Sequence, residues 1–116
     1  MTKYYATKTE VNGISFDSKL EAERFQQLLL MQQAGEIANL RLQQEFQISY
    51  GFKDTRGEKI RSSFYIADFT YTDMVNHKLI AEDTKGMETP EFKLKWKLVK
   101  TRYPEWNFRK VRKEKI

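Results

Sequence analysis

Residues 65–86, YIADFTYTDMVNHKLIAEDTKG, hold two strand-like runs around a short turn, and both runs carry acid where burial is expected. Asp68 lies in the first run, Glu82 and Asp83 lie in the second, and Lys85 follows two residues later. A buried carboxylate is costly unless it is paired, hydrogen-bonded or metal-bound. Any fold of this chain must therefore bring partners to those acids. There is no cysteine, which excludes disulfide staples and thiolate zinc sites. The single histidine, His77, falls in the turn and excludes a multi-histidine metal site.

The flanking segments supply the remaining elements. Asn12-Gly13, between short β-prone runs, predicts a hairpin. Ser18 caps a helix, Glu21 completes a capping-box pattern and Gly35 terminates it. NLRLQQEFQISY alternates apolar and polar residues and predicts a strand, GFKDTRGEKIR a polar loop. Thr89-Pro90 opens a second helix that ends before Pro104, and WNFRKV is a last strand. A strand that follows a crossover helix joins its sheet in parallel with a right-handed connection. The expected fold is α/β: helix, three strands, helix, strand, with an N-terminal hairpin and a helix on each side of the sheet. At 116 residues the chain is one domain with one modest core, and residues 1–8 and 112–116 are expected to be flexible. A hydrophobic content of 40% excludes a disordered chain. No apolar run is long enough to span a membrane. MTKYYATKTE lacks an apolar signal core, so a cytoplasmic location is expected.

Net charge is +5, but it is unevenly spread. From Lys93 onward, ten Lys/Arg face only Glu105 and Glu114, while the rest of the chain is acidic. Such a basic end suits a polyanion partner, and a solvated helix with a basic tail is the plainer alternative. On the second helix, Phe92, Trp96 and Val99 share a packing face, and Lys93, Lys97 and Lys100 form an adjoining cationic stripe. Those lysines can hold phosphates without reading bases. The plainer alternative is a solvated face. A second basic entry lies in the loop at Lys53, Arg56, Lys59 and Arg61. Trp96 and Trp106 read as core.

Strand alternation sorts the acids. Asp83 and Lys85 share a face with Leu79 and Ala81, whereas Glu82 and Thr84 share the other. Asp68 alternates with Ile66 and Thr70 on the neighbouring strand and can approach Asp83. Two adjacent carboxylates repel unless a proton or cation joins them, and Mg²⁺ suits one or two carboxylates plus waters. Glu21 shares a helical stripe with Phe25 and Leu28 and points towards the same region. The alternatives are that Asp68 and Asp83 are strand-end acids facing water and that Glu21 only caps its helix.

A helix glutamate, a strand aspartate, Asp-X-Lys on the next strand and a lysine-rich helix together resemble the PD-(D/E)XK nuclease superfamily. IAD at 66–68 stands at the first aspartate, and DTK at 83–85 matches the (D/E)XK element. FDSKLEAERFQQLLLMQQAGEI, LRLQQEFQI, YIADFTY and EDTKG more closely resemble a family of small uncharacterised phage-encoded nuclease-like proteins, from about Thr9 to Val111. Ala67-Asp68 replaces Pro-Asp, and the acid is doubled at Glu82-Asp83; alternation favours Asp83, which shares a face with Lys85.

The resemblance implies a restriction-endonuclease-like core and a Mg²⁺-dependent DNA endonuclease, with Mn²⁺ as a substitute. Asp68, Asp83 and the Thr84 carbonyl would hold the metal, and Glu21 would support it directly or through water. Lys85 would orient or deprotonate the attacking water or stabilise the phosphate. Gln43 or Gln44 would support the site from the preceding strand. A single small domain favours a structure-selective enzyme acting on Holliday junctions or flaps in phage replication, recombination or packaging, in the host cytoplasm. Cutting two strands would call for a homodimer. The alternatives are a non-catalytic nucleic-acid-binding module that keeps the fold, and a structural or host-interaction protein.

Overall fold

The computed structural model describes residues 8–84 and 87–112. Lys85 and most of the two expected flexible ends lie outside the described residues. The chain opens with β1 (Thr9–Val11) and β2 (Ile14–Phe16). Asn12 and Gly13 both take positive φ at their turn, as a two-residue hairpin with this twist requires.

α1 (Lys19–Gln33) starts where the Ser18 hydroxyl accepts from the Glu21 N–H at 3.1 Å. It ends in a Schellman pattern: the Glu36 N–H donates to the Met31 carbonyl and the Gly35 N–H to that of Gln32, with Gly35 at φ +79°. β3 (Ile37–Ser49) follows, and then β4 (Phe52–Lys53) and β5 (Lys59–Ile60). The segment 51–61, expected as a polar loop, is thus a small antiparallel hairpin. Its turn is closed by the Asp54 carboxylate, which accepts from the Arg56 and Glu58 N–H groups at 2.9 Å each.

β6 (Ser63–Asp73) and β7 (Lys78–Thr84) form the expected hairpin, with His77 in its turn at positive φ. α2 (Pro90–Arg102) begins with Pro90 in its first turn and Thr89 as its cap, accepting from the Phe92 N–H. β8 (Trp106–Val111) closes the chain.

The main sheet has four strands in the order β3-β6-β7-β8, antiparallel except for the parallel pair β7–β8. This is a mixed α/β architecture with one helix on each face. Neighbouring residues on β7 go to opposite cores, which fixes that sidedness. Ile80 packs with Phe25 and Leu28 of α1, and Ala81 packs with Phe92 and Val99 of α2. Trp96, Trp106 and Phe108 border the α2 core, as expected for Trp96 and Trp106.

The middle of the sheet breaks the simple alternation. On β6, Tyr65 and Ala67 belong to the α2 core, whereas Phe69 and Tyr71, of the same parity, belong to the α1 core. β3 does the same: Leu40 and Leu42 pack on the α1 side, and Phe46 and Ile48 on the α2 side. Both changes fall at one place. The β3–β6 ladder runs from Leu42↔Phe69 to Gln44↔Ala67 and leaves Gln43 and Asp68 out. Gln43 takes φ +55°, a left-handed conformation uncommon for a residue with a side chain. The β6–β7 ladder likewise begins at Phe69↔Glu82, one step short of Asp68 and Asp83. The expectation that Asp68 alternates in register with Ile66 and Thr70 is therefore corrected. Asp68 sits at a kink where both ladders release it.

Candidate functional site

The kink turns the Asp68 carboxylate towards three elements. Its Oδ2 accepts from the backbone N–H of Thr84 at 2.8 Å and from the Thr84 hydroxyl at 2.9 Å. Its Oδ1 lies 3.4 Å from the Gln43 amide nitrogen. From α1, the Glu21 carboxyl reaches it within side-chain hydrogen-bonding range. Glu21 is 6% exposed, on a buried stripe with Phe25 and Leu28 as the helical spacing predicts. Its second oxygen relation is local: Oε2 accepts from the Asp17 N–H at 3.3 Å. The reciprocal capping-box bond to the Ser18 N–H is thus replaced by one to the Asp17 N–H, while the same side chain approaches Asp68.

Asp83 faces the α2 side, 3% exposed, and accepts from the Tyr65 hydroxyl at 2.5 Å. Asp68 and Asp83 line one open cleft of about 290 Å³ with Tyr65, Thr89, Phe92 and Lys95. Lys95, on α2, lies 3.5 Å from Glu91 and brings a cation to the same wall. Sequence reading passed over Lys95, although it lies three residues beyond the buried Phe92, on the same helix side.

Glu82 has a different fate. It is 1% exposed on the α1 face, where Arg24 donates Nε and Nη2 to its two oxygens at 2.7 and 2.6 Å. The Tyr71 hydroxyl donates to it as well. Such a two-pronged arginine pair satisfies a buried carboxylate with strong, directional bonds. Arg24 lies three residues after Glu21 on the buried side of α1, so helical periodicity held the signal for it. The doubled acid is therefore divided: Glu82 is structural and Asp83 opens to the cleft. Gln44, expected as an alternative support, is turned away and accepts from the Thr70 hydroxyl. Gln43 is the glutamine that meets Asp68.

Crowding and burial set the electrostatics. Burial, followed by the neighbouring Asp68 carboxylate, pushes the Glu21 pKa up to about 8. Burial and then the charge of Asp83 raise the Tyr65 hydroxyl well above its ordinary range, so it remains a donor. Tyr71 is raised by burial and Glu82 in the same way. Two carboxylates in contact need a proton or a cation between them, and the Asp68 and Asp83 carboxylates offer oxygen ligands to the cleft. That chemistry fits a hard divalent ion held by one or two carboxylates plus waters. Among the described residues, no three acidic or imidazole side chains converge as a metal site by themselves. Lys93, Lys97 and Lys100 are all exposed along α2, with the Lys100 ammonium 5.6 Å from the Trp96 ring centre.

Residues 1–115 match a family described as "Protein of unknown function (DUF1064)". The chain belongs to the DUF1064 family. No curated protein and no solved structure matches this DUF1064 chain. Among its described residues, no helix is long and apolar enough to cross a membrane.

Two outcomes follow from these contacts. Arg24→Leu leaves Glu82 buried without a counter-charge, with only the Tyr71 hydroxyl as donor, and it is expected to lower unfolding free energy by about 3 kcal/mol in urea titration. Replacing Arg24 and Glu82 together by leucine and methionine should cost much less, and an equal cost would reject the pairing. For Glu21, the folded pKa lies above the unfolded value of 4.5. The folded state therefore binds more protons between pH 4.5 and about 8, and its stability falls as pH rises through that window. In EDTA, the melting temperature of wild type should drop over this range more than that of Glu21→Gln. Parallel pH profiles would reject the assignment to Glu21.

Proposed function

We propose that the chain is a metal-dependent DNA endonuclease with a restriction-endonuclease-like core, acting on structured DNA such as junctions or flaps. The observation that carries this reading is the shared cleft of Asp68 and Asp83, with Glu21 in contact with Asp68. The order α1-β3-β6-β7-α2-β8, with β8 parallel to β7, supports the core assignment. The Asp-X-Lys element at 83–85 supports the nuclease assignment.

The residues divide the work of phosphodiester hydrolysis. Asp68 and Asp83 offer carboxylate oxygens to a cation, and Glu21 adds a third carboxyl through Asp68. Bound there, Mg²⁺ or Mn²⁺ would neutralise phosphate charge and lower the pKa of a coordinated water. Thr84 and Gln43 orient Asp68 through their hydrogen bonds. Tyr65 orients Asp83 and stays protonated while it does so. Lys95 presents positive charge to a phosphate entering the cleft, and Lys85 would position the attacking water. Water oxygen bonds to phosphorus as one P–O ester bond breaks, and the departing oxygen takes up a proton. Lys93, Lys97 and Lys100 hold flanking phosphates.

One observation favours a second reading, a nucleic-acid-binding module without catalysis. Asp68 Oδ2 already accepts two bonds from Thr84 and would have to share them with a cation. Incubation of junction, flap, duplex and single-stranded DNA with Mg²⁺, and with EDTA as control, separates the two. Cleavage that requires Mg²⁺ is expected. Asp83→Asn should abolish it while leaving DNA affinity within about twofold, because the basic helix is unchanged. Cleavage at the wild-type rate in that variant would sink the nuclease reading. Changing Lys93, Lys97 and Lys100 together to glutamine should weaken binding to all four DNAs alike. On duplex DNA each lost contact should reduce the slope of log K against log[salt] by about 0.9. An unchanged slope would mean that these lysines are only solvated.

A further inference from the structure

The hairpin β4–β5 carries a second surface, away from the acidic cluster. Tyr50 and Phe52 at its base are 64% and 58% exposed. Burying so much aromatic surface is normally a main source of stability, so two exposed rings separated only by Gly51 call for a reason. They are set among cations. Lys53, Arg56, Lys59 and Arg61 are all exposed, and none has an acidic partner within 4 Å among the described residues. Lys53 and Lys59 stand directly opposite each other in the ladder. Like charges at such a cross-strand pair are unfavourable, and a bound anion removes the penalty. The hairpin's two acids do not cancel the charge: Asp54 is turned into its own loop, and only Glu58 stands beside the four cations.

The arm is pre-shaped. The Ser49 and Ser63 hydroxyls join across its root at 2.7 Å, and the Ser63 N–H donates to the Ser49 oxygen at 3.2 Å. A Cβ on Gly51 would lie 3.3 Å from the Ile60 carbonyl oxygen, so the strands approach closely there. A rigid surface loses little entropy when it binds. α2 links the arm to the cleft. Its first turns supply Thr89, Phe92 and Lys95 to the cleft wall, and its last turn lays the Arg102 guanidinium 5.3 Å from the Tyr50 ring centre. At 1.5 Å per residue, Lys95 and Arg102 lie about 10 Å apart along the helix. That is roughly three phosphate steps of a stacked strand.

We propose that Tyr50, Phe52 and the cations of the β4–β5 arm bind single-stranded DNA beside the cleft. Bases stack on the two rings and the backbone follows Lys53, Lys59 and Arg102. Aromatic rings within a basic groove are the general chemistry of single-strand recognition, because every base has a π face while a duplex hides its own. The inference rests on the reading of the chain as a protein that acts on DNA, but it is independent of the metal and of cleavage. It also names the substrate class: DNA with a single-stranded segment next to the cut, as a flap has.

Fluorescence anisotropy in EDTA with labelled oligothymidine and a duplex of equal length tests it without any cleavage. Tyr50→Ala/Phe52→Ala should weaken oligothymidine binding by about tenfold to a hundredfold and duplex binding by less than about twofold. Tyr50→Leu/Phe52→Leu keeps apolar bulk on the hairpin and should lose single-strand affinity equally, with an unchanged melting temperature. Tyr50→Phe/Phe52→Tyr should bind like wild type. Equal losses on both DNAs, or no loss on oligothymidine, would overturn the proposal. A selective loss together with no Mg²⁺-dependent cleavage would leave the arm standing and remove the nuclease reading. Cleavage that depends on Asp83, with no selective loss, would do the reverse.

Discussion

Glu82 and Asp83 are consecutive, almost fully buried and on opposite faces of an internal strand. Each carboxylate would cost several kcal/mol to desolvate if left alone. The rest of the molecule is arranged around meeting that demand. On the α1 face, Arg24 grips both oxygens of Glu82 and Tyr71 adds a third donor. This ties the helix to the sheet at a fixed height and rotation, and so sets where Glu21, one turn earlier, arrives. On the α2 face, Tyr65 donates to Asp83, and the Tyr65 ring is in turn held against Phe92, Trp96 and Phe108. One acid anchors the fold, and the other is presented to a cleft by a donor that stays protonated.

The same strand region explains why acid can accumulate here at all. Where β3, β6 and β7 release Gln43 and Asp68 from their ladders, the sheet leaves a backbone N–H at Thr84 that needs an acceptor. Asp68 provides it and is fixed by it. Glu21 then meets a carboxylate that cannot swing away, and its proton affinity rises. Departures from regular pairing of this kind re-aim side chains and gather at functional sites. The kink lets residues of equal parity serve two cores, so a four-stranded sheet supports a helix on each face and still leaves a cleft where β6 and β7 meet the start of α2.

Positive charge lies to one side of this acidic centre, on α2, where Lys95 pairs with Glu91. Lys95 reaches the cleft wall, the lysines of α2 run outward from it, and the β4–β5 arm ends the path with cations and exposed rings. Glu88 pairs with Lys110 and Arg112, which fixes the end of β8 beside the start of α2. The basic C-terminal part thus divides into residues that staple the fold and residues left exposed to solvent.

Local signals in the sequence determined a great deal. The Asn12-Gly13 turn, the Ser18 and Thr89 caps and the Gly35 stop all depend on interactions within a few residues, so they can be read without the fold. Alternation on β7 also held, because that strand is internal and regular, and it separated Glu82 from Asp83 correctly. Alternation failed on β3 and β6. Leu40, Leu42, Phe46 and Ile48 look like one apolar face in sequence, yet the kink at Gln43 and Asp68 assigns them to two. No local pattern announces a positive φ at a glutamine, since it is stable only because two ladders and two cores hold it. The partners of the buried acids were equally out of reach: Arg24 meets Glu82 across 58 positions and Tyr65 meets Asp83 across 18. Which acid is locked and which faces the cleft is a matter of long-range packing, and only the tertiary structure decides it.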